Sequence, residues 1–336
     1  MASVKKILLG HGSGGRLSRE LVEAVFLKSF SNPALLPLED AAEVKIPGAT
    51  LAFTTDSYVV TPVEFPGADI GRVAVCGTVN DLAVKGARPL ALSAGFILEE
   101  GFPMDLLSRL AASMRRAADE AGVSIVTGDT KVVEKGKADG IFINTSGVGL
   151  IPAGRSLSSA AVRPGDFIIV SGNLAEHGVA VMNARHRLGL GGAIKSDAAP
   201  LNGLVEAALK VRGIRAMRDI TRGGLATVLN EVSGACGLTA EVDEESVPVS
   251  AATRNACALL GLDPMYVANE GKLVLFAAPE AAAKILRALR SHKYGKNARI
   301  AGRMLKEKKP QVRLRTSIGG SRIMLMLEGE QLPRIC

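Results

Sequence analysis

The chain has 336 residues, of which 47% are hydrophobic, 22% are charged and 4% are aromatic. A chain of this length and hydrophobic content is globular and long enough for two domains. Its 41 basic and 33 acidic residues give a net charge of +8, but it has no Trp and only 3 Tyr. This composition argues against an aromatic stacking surface for nucleic acid.

The cysteines and histidines show none of the spacings typical of a zinc or disulfide framework. The N-terminal apolar run is interrupted by glycine and histidine, so it lacks the hydrophobic region of a signal peptide. No stretch has the roughly 20 uninterrupted apolar residues of a membrane span. We therefore expect a soluble cytoplasmic protein with reduced thiols that binds neither membrane nor nucleic acid.

The surplus of positive charge is spread along the chain except for one cluster near its end. Such a cluster is most often a solvated face, and docking of an acidic partner is favoured over nucleic-acid binding as the alternative. Its members are Arg303, Lys306, Lys308, Lys309, Arg313 and Arg315.

The first motif is a glycine-rich loop, Gly10 to Arg16, followed by apolar residues at helical spacing from Leu17 onward. A glycine-rich loop that leads into a helix can present backbone N–H groups to phosphate oxygens. The loop matches neither of the common nucleotide-binding signatures. A flexible loop without a ligand is an equally good interpretation of this stretch.

Three aspartates mark predicted elements of the first half. Asp56 and Asp129 come at the ends of apolar strands, and Asp81 lies toward the end of a helix that Asp69 can cap. Carboxylates without His or Cys nearby suit a hard cation such as Mg²⁺ bridging phosphates. Aspartate is also an ordinary turn residue, and the sequence leaves open whether the three converge.

The best linker candidate is 150–165, after which helices and strands alternate. Asp219 precedes two glycines at a predicted helix start, where it could hold phosphate or metal or cap the helix. Glu270, beside Gly271, could be a general base, although a turn carboxylate is the interpretation that the residues alone favour.

A thiol stands on the last residue, Cys336. A terminal residue can sweep through a large volume, so a cysteine there is poorly suited to packing and well suited to reaching into a cleft. The alternative is a tail that ends in Cys by chance.

Together these segments resemble the HypE family of hydrogenase maturation proteins, the carbamoyl dehydratases, within the AIR synthetase (PurM) superfamily. The motifs are long and occur in order along nearly the whole chain. They read HGSGGR, TTDSYVVTP, EFPGADIG, GTVNDLAVKGA, ILEEGFP, VTGDTKVV, MRDITRGGLATVLNEV, LGLDPMYVANEGKLV and the terminal PRIC.

The resemblance implies a two-domain α+β, PurM-like fold. The N-terminal domain is then a four-stranded half-barrel with flanking helices, which pairs across a two-fold axis to form a homodimer, and an α/β sandwich domain follows it. We place an ATP-binding and dimerisation domain at 1–155, a second domain at 156–325 and a flexible tail at 326–336.

The implied activity is dehydration of a carbamoyl group carried on Cys336. A carbamoyltransferase, HypF, loads that group as a thiocarbamate. ATP with Mg²⁺ activates its oxygen, and loss of phosphate leaves a thiocyanate. The cyanide then passes to iron on the HypC–HypD complex for the [NiFe]-hydrogenase cofactor. A mobile tail suits a thiol that must visit three sites in turn.

The implied site residues follow from the same resemblance. The base is Glu270, and Lys131 orients it or stabilises the oxygen that is phosphorylated. The metal ligands are Asp56, Asp81, Asp129 and Asp219. The contacts to ATP and its phosphates are His11, Gly12, Ser13, Gly14, Gly15, Asn80, Thr130 and Asn144.

The chain departs from the family pattern at the start of the second half. Where the family commonly has Gly-Asp-His, this chain has Ala175-Glu176-His177. We therefore leave Glu176 and His177 out of the predicted site.

Two alternatives to the function implied by the resemblance remain. One is a superfamily relative, such as a selenophosphate or AIR synthetase, that has no use for Cys336. The other is a carrier without catalysis, which needs no metal-phosphate site.

Overall fold

Two sheets organise the chain, one of five strands and one of seven. The computed structural model describes residues 6–190 and 192–329. The part of the predicted tail beyond residue 329, which includes Cys336, lies outside the described residues. None of the helices in the described ranges is both long and apolar enough to span a membrane.

The first sheet has the strand order β1-β2-β7-β5-β6, in which β5 and β6 are parallel and the other pairs antiparallel. A short β3–β4 ribbon stands beside it. The strands are β1 (Ala42–Ile46), β2 (Ala49–Tyr58), β3 (Glu64–Phe65), β4 (Ala68–Asp69), β5 (Arg88–Glu99), β6 (Ser124–Val133) and β7 (Ile141–Ile151). The helices of this half are α1 (Arg16–Leu21), α2 (Leu27–Phe30), α3 (Ile70–Val84) and α4 (Met104–Ala121), with a π-helical stretch at Val22–Phe26 joining the first two.

Helix α3 is the centre of this half. It begins where predicted, since the Asp69 carboxylate accepts a hydrogen bond of 2.9 Å from the backbone N–H of Arg72. All its residues except Arg72 are buried, because one side packs on β2 and β7 and others meet α4, α6 and β9. Small residues allow this close packing: a Cβ on Gly77 would stand 2.2 Å from the Tyr58 hydroxyl. Because the helix lies between the two halves, its polar residues Asn80 and Asp81 are close to both.

The second sheet has the strand order β14-β13-β10-β12-β8-β11-β9. Its strands are β8 (Phe167–Val170), β9 (Ile214–Asp219), β10 (Thr239–Asp243), β11 (Leu273–Ala277), β12 (Arg299–Leu305), β13 (Val312–Arg315) and β14 (Ser321–Ile323). Its helices are α5 (Glu176–His186), α6 (Asn202–Leu209), α7 (Gly224–Cys236), α8 (Ala251–Leu260) and α9 (Pro279–Arg290).

Helices cover both faces of this second sheet. Along β11, Val274 and Phe276 belong to the core that contains the α7 side chains, whereas Leu273 and Leu275 belong to the core under α6 and α9. A strand buried on both faces needs a continuous apolar run, which is why β11 carries no alternation of polar residues. This arrangement is the α/β sandwich that the resemblance implied.

The structure differs from the expected fold in one respect. The first sheet has five strands in the described part of the chain where four were expected, because Ala42–Ile46 forms a hairpin with β2. The five strands of the half-barrel still leave β6 at an edge.

The two halves are joined by the side chain of Asn80 on α3. Its amide group donates to the carbonyls of Ala199 (3.1 Å) and Glu270 (3.3 Å), and its carbonyl oxygen accepts from the N–H of Leu201 (2.7 Å). Asn80 is 2% exposed, so these bonds are made away from water. The geometry argues against the predicted contact of Asn80 with phosphate, because its polar atoms already bind the main chain.

Replacing Asn80 by Ala should therefore destabilise the protein through the domain joint. Loss of these bonds leaves buried main-chain groups without a partner, at a cost of about 1–3 kcal/mol for each such group. Urea denaturation of Asn80→Ala measures the effect. The matched control is Asn202→Ala, which removes one bond, of 2.8 Å to the Ala121 carbonyl, between the same two halves. Equal losses in the two variants would contradict the special role of Asn80.

Candidate active site

A polar cavity of about 220 Å³ lies between the two halves. The strand β2 supplies Asp56 and Tyr58 on its helix side, α3 supplies Asp81, and the second half supplies Asp219 and Glu270. Alternation along β2 explains the first pair, since Thr54 and Tyr58 are buried while Thr55 and Ser57 are exposed. The cavity thus collects four predicted site residues from distant parts of the chain, with Tyr58 beside them.

Three carboxylates crowd together at this cavity. Asp40, Asp81 and Asp219 each offer an oxygen, and the three oxygens lie within 4.8 Å of one another. The Thr54 hydroxyl donates to Asp81 Oδ2 at 2.7 Å. Arg218 Nε donates to Asp40 Oδ1 at 2.7 Å, and the same guanidinium donates to Glu231 at 2.8 Å. The fold therefore fixes Asp40 with a largely buried arginine and Asp81 with a hydroxyl.

Burial dominates the electrostatics of this cluster. It raises the pKa of Asp40 to about 6, although the Arg218 guanidinium lowers it. Burial and the charges of neighbouring aspartates raise the pKa of Asp81 and of Asp219 well above the usual value. Burial also raises the pKa of Asp56, against the nearby charge of Arg222. Carboxylates in this state favour a bound proton or a bound cation over bare negative charge.

The donor set fits a magnesium ion. Its side chains are buried carboxylates, hard oxygen ligands of the kind that Mg²⁺ prefers, and no sulfur or imidazole lies among them. Asp40 is a member of the cluster that sequence reasoning missed. It precedes β1 in a turn with no helical or strand periodicity, so no local pattern distinguishes it from a solvated acid. The only sequence signal for Asp40 is Arg218, which stands beside Asp219 in the motif MRDITRGGLATVLNEV. A buried arginine needs a carboxylate partner.

Glu270 stands at the same cavity and is 3% exposed. Burial, with the negative charges of Asp219 and Asp197 next, raises its pKa well above the usual value. A carboxyl group with this environment holds a proton more readily than an ordinary glutamate, which is the property of a general acid or base. Nearby, Tyr58 donates from its hydroxyl to Asp56 Oδ2 at 3.2 Å.

One residue of the glycine-rich loop reaches the cavity. Gly14 lines it with φ +77°, and a Cβ there would lie 2.7 Å from the Cβ of Arg222, so a side chain is excluded. His11 instead accepts from the Leu8 N–H at 3.0 Å, and Gly12 is exposed. Gly15 packs against Leu327. Ser13, too, is outside the cavity lining and approaches the Leu9 carbonyl at 3.5 Å.

The remaining predicted residues lie elsewhere in this chain. Asp129 and Lys131 form an ion pair of 3.0 Å on the edge strand β6, where their side chains are 70% and 71% exposed. Because β7 and β5 separate β6 from β2, Asp129 is roughly 14 Å from Asp56 at the usual strand spacing. Within a single chain Asp129 therefore does not meet Asp56 and Asp81, and its role as a metal ligand stays a prediction.

Thr130 and Asn144 are also displaced from the cavity. Thr130 lies beside Asp129 on β6. Asn144 pairs with Ser57 in the sheet and donates to its hydroxyl at 3.0 Å, on the face opposite to Asp56. The sequence could not assign these residues to a face, because strand alternation alone does not say which face meets the helices.

Known proteins share both halves of this arrangement. Residues 38–151 match the N-terminal domain and residues 163–315 the C-terminal domain of AIR synthase related proteins. Carbamoyl dehydratase HypE of Rhodobacter capsulatus is 52% identical over 335 residues, covering 99% of this chain and 98% of that protein.

Two solved structures agree closely. HypE in complex with ATP is 48% identical with a TM-score of 0.83, covering 98% of this chain and 100% of that chain. The HypE–HypF complex contains a chain that is 46% identical with a TM-score of 0.87, covering 91% of this chain and 99% of that one. The protein has the two-domain AIR synthase architecture. Within that class it belongs to the HypE family of carbamoyl dehydratases, which confirms the resemblance seen in the sequence.

The acid cluster predicts a stability that depends on pH and on magnesium. In EDTA, the free energy of unfolding should fall as pH rises from about 4 to above 6. Unfolded aspartates lose their protons near pH 4, whereas folded Asp40 keeps its proton up to a pKa of about 6. Magnesium should reverse that fall by binding the charged cluster, by about 2.7 kcal/mol at 100-fold excess over its Kd.

Urea denaturation of Asp81→Asn tests this. The variant should be more stable than wild type in EDTA above pH 6 and should gain little from Mg²⁺. Asp119→Asn changes an exposed acid on α4 and serves as the control. The same gain from Mg²⁺ in wild type and Asp81→Asn would show that the cluster is not a cation site.

Proposed function

We propose that the chain dehydrates a carbamoyl group carried on its own Cys336, with consumption of ATP. The observation that supports this best is the course of the last described segment, which leads to the glycine-rich loop beside the acid cavity. The N–H of Arg16 donates to the carbonyl of Leu327 at 2.8 Å, and a Cβ on Gly15 would stand 2.1 Å from that same oxygen. The loop is thus built to receive this segment.

Two side chains of the second domain guide the segment there. Asn230 donates to the Met324 carbonyl at 3.0 Å, and the Tyr266 hydroxyl donates to the Leu325 carbonyl at 2.9 Å. Seven residues follow Gly329 in the sequence, and a chain of that length spans at most about 25 Å. That length is the reach that the carrier role proposed for Cys336 can draw on from Gly329.

The proposed reaction removes the carbamoyl oxygen as phosphate. The thiocarbamate on Cys336 has a carbonyl oxygen and an NH₂ group. The oxygen attacks the terminal phosphorus of ATP, and ADP leaves. Two protons then leave the nitrogen, the carbon–oxygen bond breaks and phosphate departs, which leaves a thiocyanate on sulfur. The products are ADP, phosphate and the S-cyano group.

The residues of this chain have distinct roles in that scheme. Asp81 and Asp219, with Asp40, would hold Mg²⁺, and Asp56 faces the same space. When bound, the ion supplies positive charge opposite the phosphates. Glu270 takes a proton from the carbamoyl nitrogen, since its buried carboxyl group of raised pKa lines the cavity and is not among the proposed metal ligands. Gly14 lets the loop main chain approach the phosphates.

Lys131 acts, we propose, on the cavity of a second copy of the chain. It stands with Asp129 on the edge strand β6, away from its own cavity. The same sheet exposes apolar side chains, with Phe53 46%, Ile97 43% and Val126 65% accessible. An exposed edge with apolar side chains favours pairing with another sheet. A homodimer that closes the half-barrel would cover them and bring Asp129, Thr130 and Lys131 to the partner.

The partners are then a HypF-type carbamoyltransferase and a HypC–HypD iron scaffold. A relative in this family is seen bound to HypF, which supports the first of these for this chain. We retain the division into 1–155, 156–325 and 326–336, whose first two parts contain the two sheets.

Intact mass tests the proposed reaction. The protein is loaded by its carbamoyltransferase and then incubated with and without Mg·ATP. We expect wild type to gain the mass of a carbamoyl group and then, only with ATP, to lose the mass of one water. Cys336→Ala should show neither change, because it lacks the sulfur. Cys236→Ala, which changes a half-buried cysteine of α7, is the control. ATP hydrolysis by Cys336→Ala at the wild-type rate, with no adduct on wild type, would contradict the carrier role.

Mixed dimers test the role of Lys131 in trans. Lys131→Ala and Glu270→Gln are each expected to be inactive alone. In a mixed dimer, one cavity then combines an intact Glu270 with an intact Lys131. Random mixing of the two variants should recover roughly one quarter of the wild-type rate, since half the dimers are mixed and each has one good cavity.

A mixture of Glu270→Gln with Asp81→Asn is the matched control, because both residues belong to the same cavity of one chain. It should recover nothing. If the Lys131→Ala mixture also recovers nothing while dimers exchange, the proposal that Lys131 acts in trans fails.

A further inference from the structure

The main chain of Glu270 is held on both sides. Its N–H donates to Asp197 Oδ1 at 2.9 Å. Its carbonyl accepts from Asn80 at 3.3 Å and from the N–H of Ala199 at 3.4 Å. The segment around Asp197 and Ala199 therefore runs directly behind the residue that faces the acid cavity. The direction in which the Glu270 side chain leaves the backbone is set by these contacts.

The glycine after Glu270 shows how close this approach is. A Cβ on Gly271 would stand 1.9 Å from the carbonyl oxygen of Asp197, which no side chain could accommodate. The two segments thus touch backbone to backbone at 271 and 197. Glycine is required here because any side chain would block that contact. The backbone conformation does not require it, since the φ of Gly271 is not in the left-handed region.

Asp197 is itself fixed by a cation. Its side chain is 2% exposed, and the Lys272 ammonium lies 2.9 Å from Asp197 Oδ2. That oxygen has no aligned hydrogen bond, so the contact is an ionic attraction. The Lys272 stem packs over Gly172, where a Cβ would lie 3.1 Å from its Cε. The ammonium is therefore held in place, and with it the carboxylate.

Neither member of this pair belongs to the acid cavity. Asp197 and Lys272 line a second cleft between the two halves, with Arg72 and Glu176 among its other walls. Asp197 thus reaches Glu270 from behind, through the main chain, and does not touch the space that the substrate would occupy. Asp197 therefore acts on the reaction through Glu270: its contacts set the position of that residue, and its charge adds to the raised pKa.

We propose that Asp197, fixed by Lys272, is a positioning residue that aims the Glu270 carboxyl group at the carbamoyl nitrogen. This inference rests on the proposed role of Glu270. One carboxylate does two tasks: Oδ1 holds the N–H of Glu270, and Oδ2 binds the ammonium. The ion pair keeps Oδ1 in place, because rotation of the carboxyl group would break the contact with Lys272.

Substitutions at 197 and 272 test the two contacts of Asp197 separately. Asp197→Ala removes the acceptor for the Glu270 N–H. Asp197→Asn combined with Lys272→Met keeps an oxygen acceptor at 197, removes both charges and leaves no unpaired ammonium. Misplacement of a reacting group by about 1 Å costs up to on the order of 100-fold in rate. We expect Asp197→Ala to slow dehydration on the order of tenfold or more. The double variant keeps the acceptor but lacks the ion pair, so it should react faster than Asp197→Ala and more slowly than wild type.

The measurement uses the full chain, loaded at Cys336, in single-turnover experiments followed by intact mass. The Kd for ATP is measured on the same preparations. A positioning role lowers the rate of dehydration and leaves the Kd for ATP within about twofold, because Asp197 is not a cavity residue. A fall in the rate together with a rise in the Kd for ATP would instead indicate general loss of structure and would overturn the proposal. Failure of the double variant to recover would overturn it too.

Glu270→Gln separates this inference from the proposed function. If Glu270→Gln dehydrates at the wild-type rate, the assigned base is wrong, and the role of Asp197 falls with it. If Glu270→Gln is inactive but Asp197→Ala reacts at the wild-type rate, only the positioning role is wrong. Should Asp197→Ala not fold, Asp197→Asn alone replaces it. Asp197→Asn keeps the acceptor but leaves Lys272 unpaired. The double variant must then react faster than Asp197→Asn.

Discussion

The mutual repulsion of buried carboxylates is the constraint on which this structure depends. Asp40, Asp81 and Asp219 come together out of water, where negative charge is costly. The protein meets part of that cost with Arg218 and with the hydroxyl of Thr54. These contacts do not meet the rest of that cost, and a cluster of this kind favours a bound proton or a bound cation. The two halves of the chain are held so as to maintain that crowding.

Helix α3 connects this cluster to the domain joint. Asn80 and Asp81 are adjacent, so their side chains leave the helix about 100° apart. One therefore binds the main chain of the second half, while the other faces the acid cavity. The contact of Asn80 with the Glu270 carbonyl continues the same link, because Glu270 lines the cavity too. A movement between the halves would disturb the candidate metal ligands and the candidate base together.

The glycine-rich loop and the last described segment meet at the cavity rim. Gly14 lines the cavity, and the next two residues receive the carbonyl of Leu327. A loop suited to phosphate and a segment that leads to the terminal thiol thus share one small region. The edge strand β6 lies on the far side of the first sheet, and its polar residues have no task in their own cavity. That asymmetry is what a site completed by a second subunit would require.

The sequence by itself determined the family, both domains and the elements that carry most of the site. The cap at Asp69, the strand that carries Asp56 and the helix start after Asp219 follow from local patterns of capping and periodicity. Only the tertiary structure admitted Asp40 to the cluster, assigned Asn80 to the domain joint and set Asp129 and Lys131 apart. The physical reason is range. Periodicity reports which face of an element is apolar, whereas Asp40 meets Arg218 across 178 positions, through packing that no local pattern encodes.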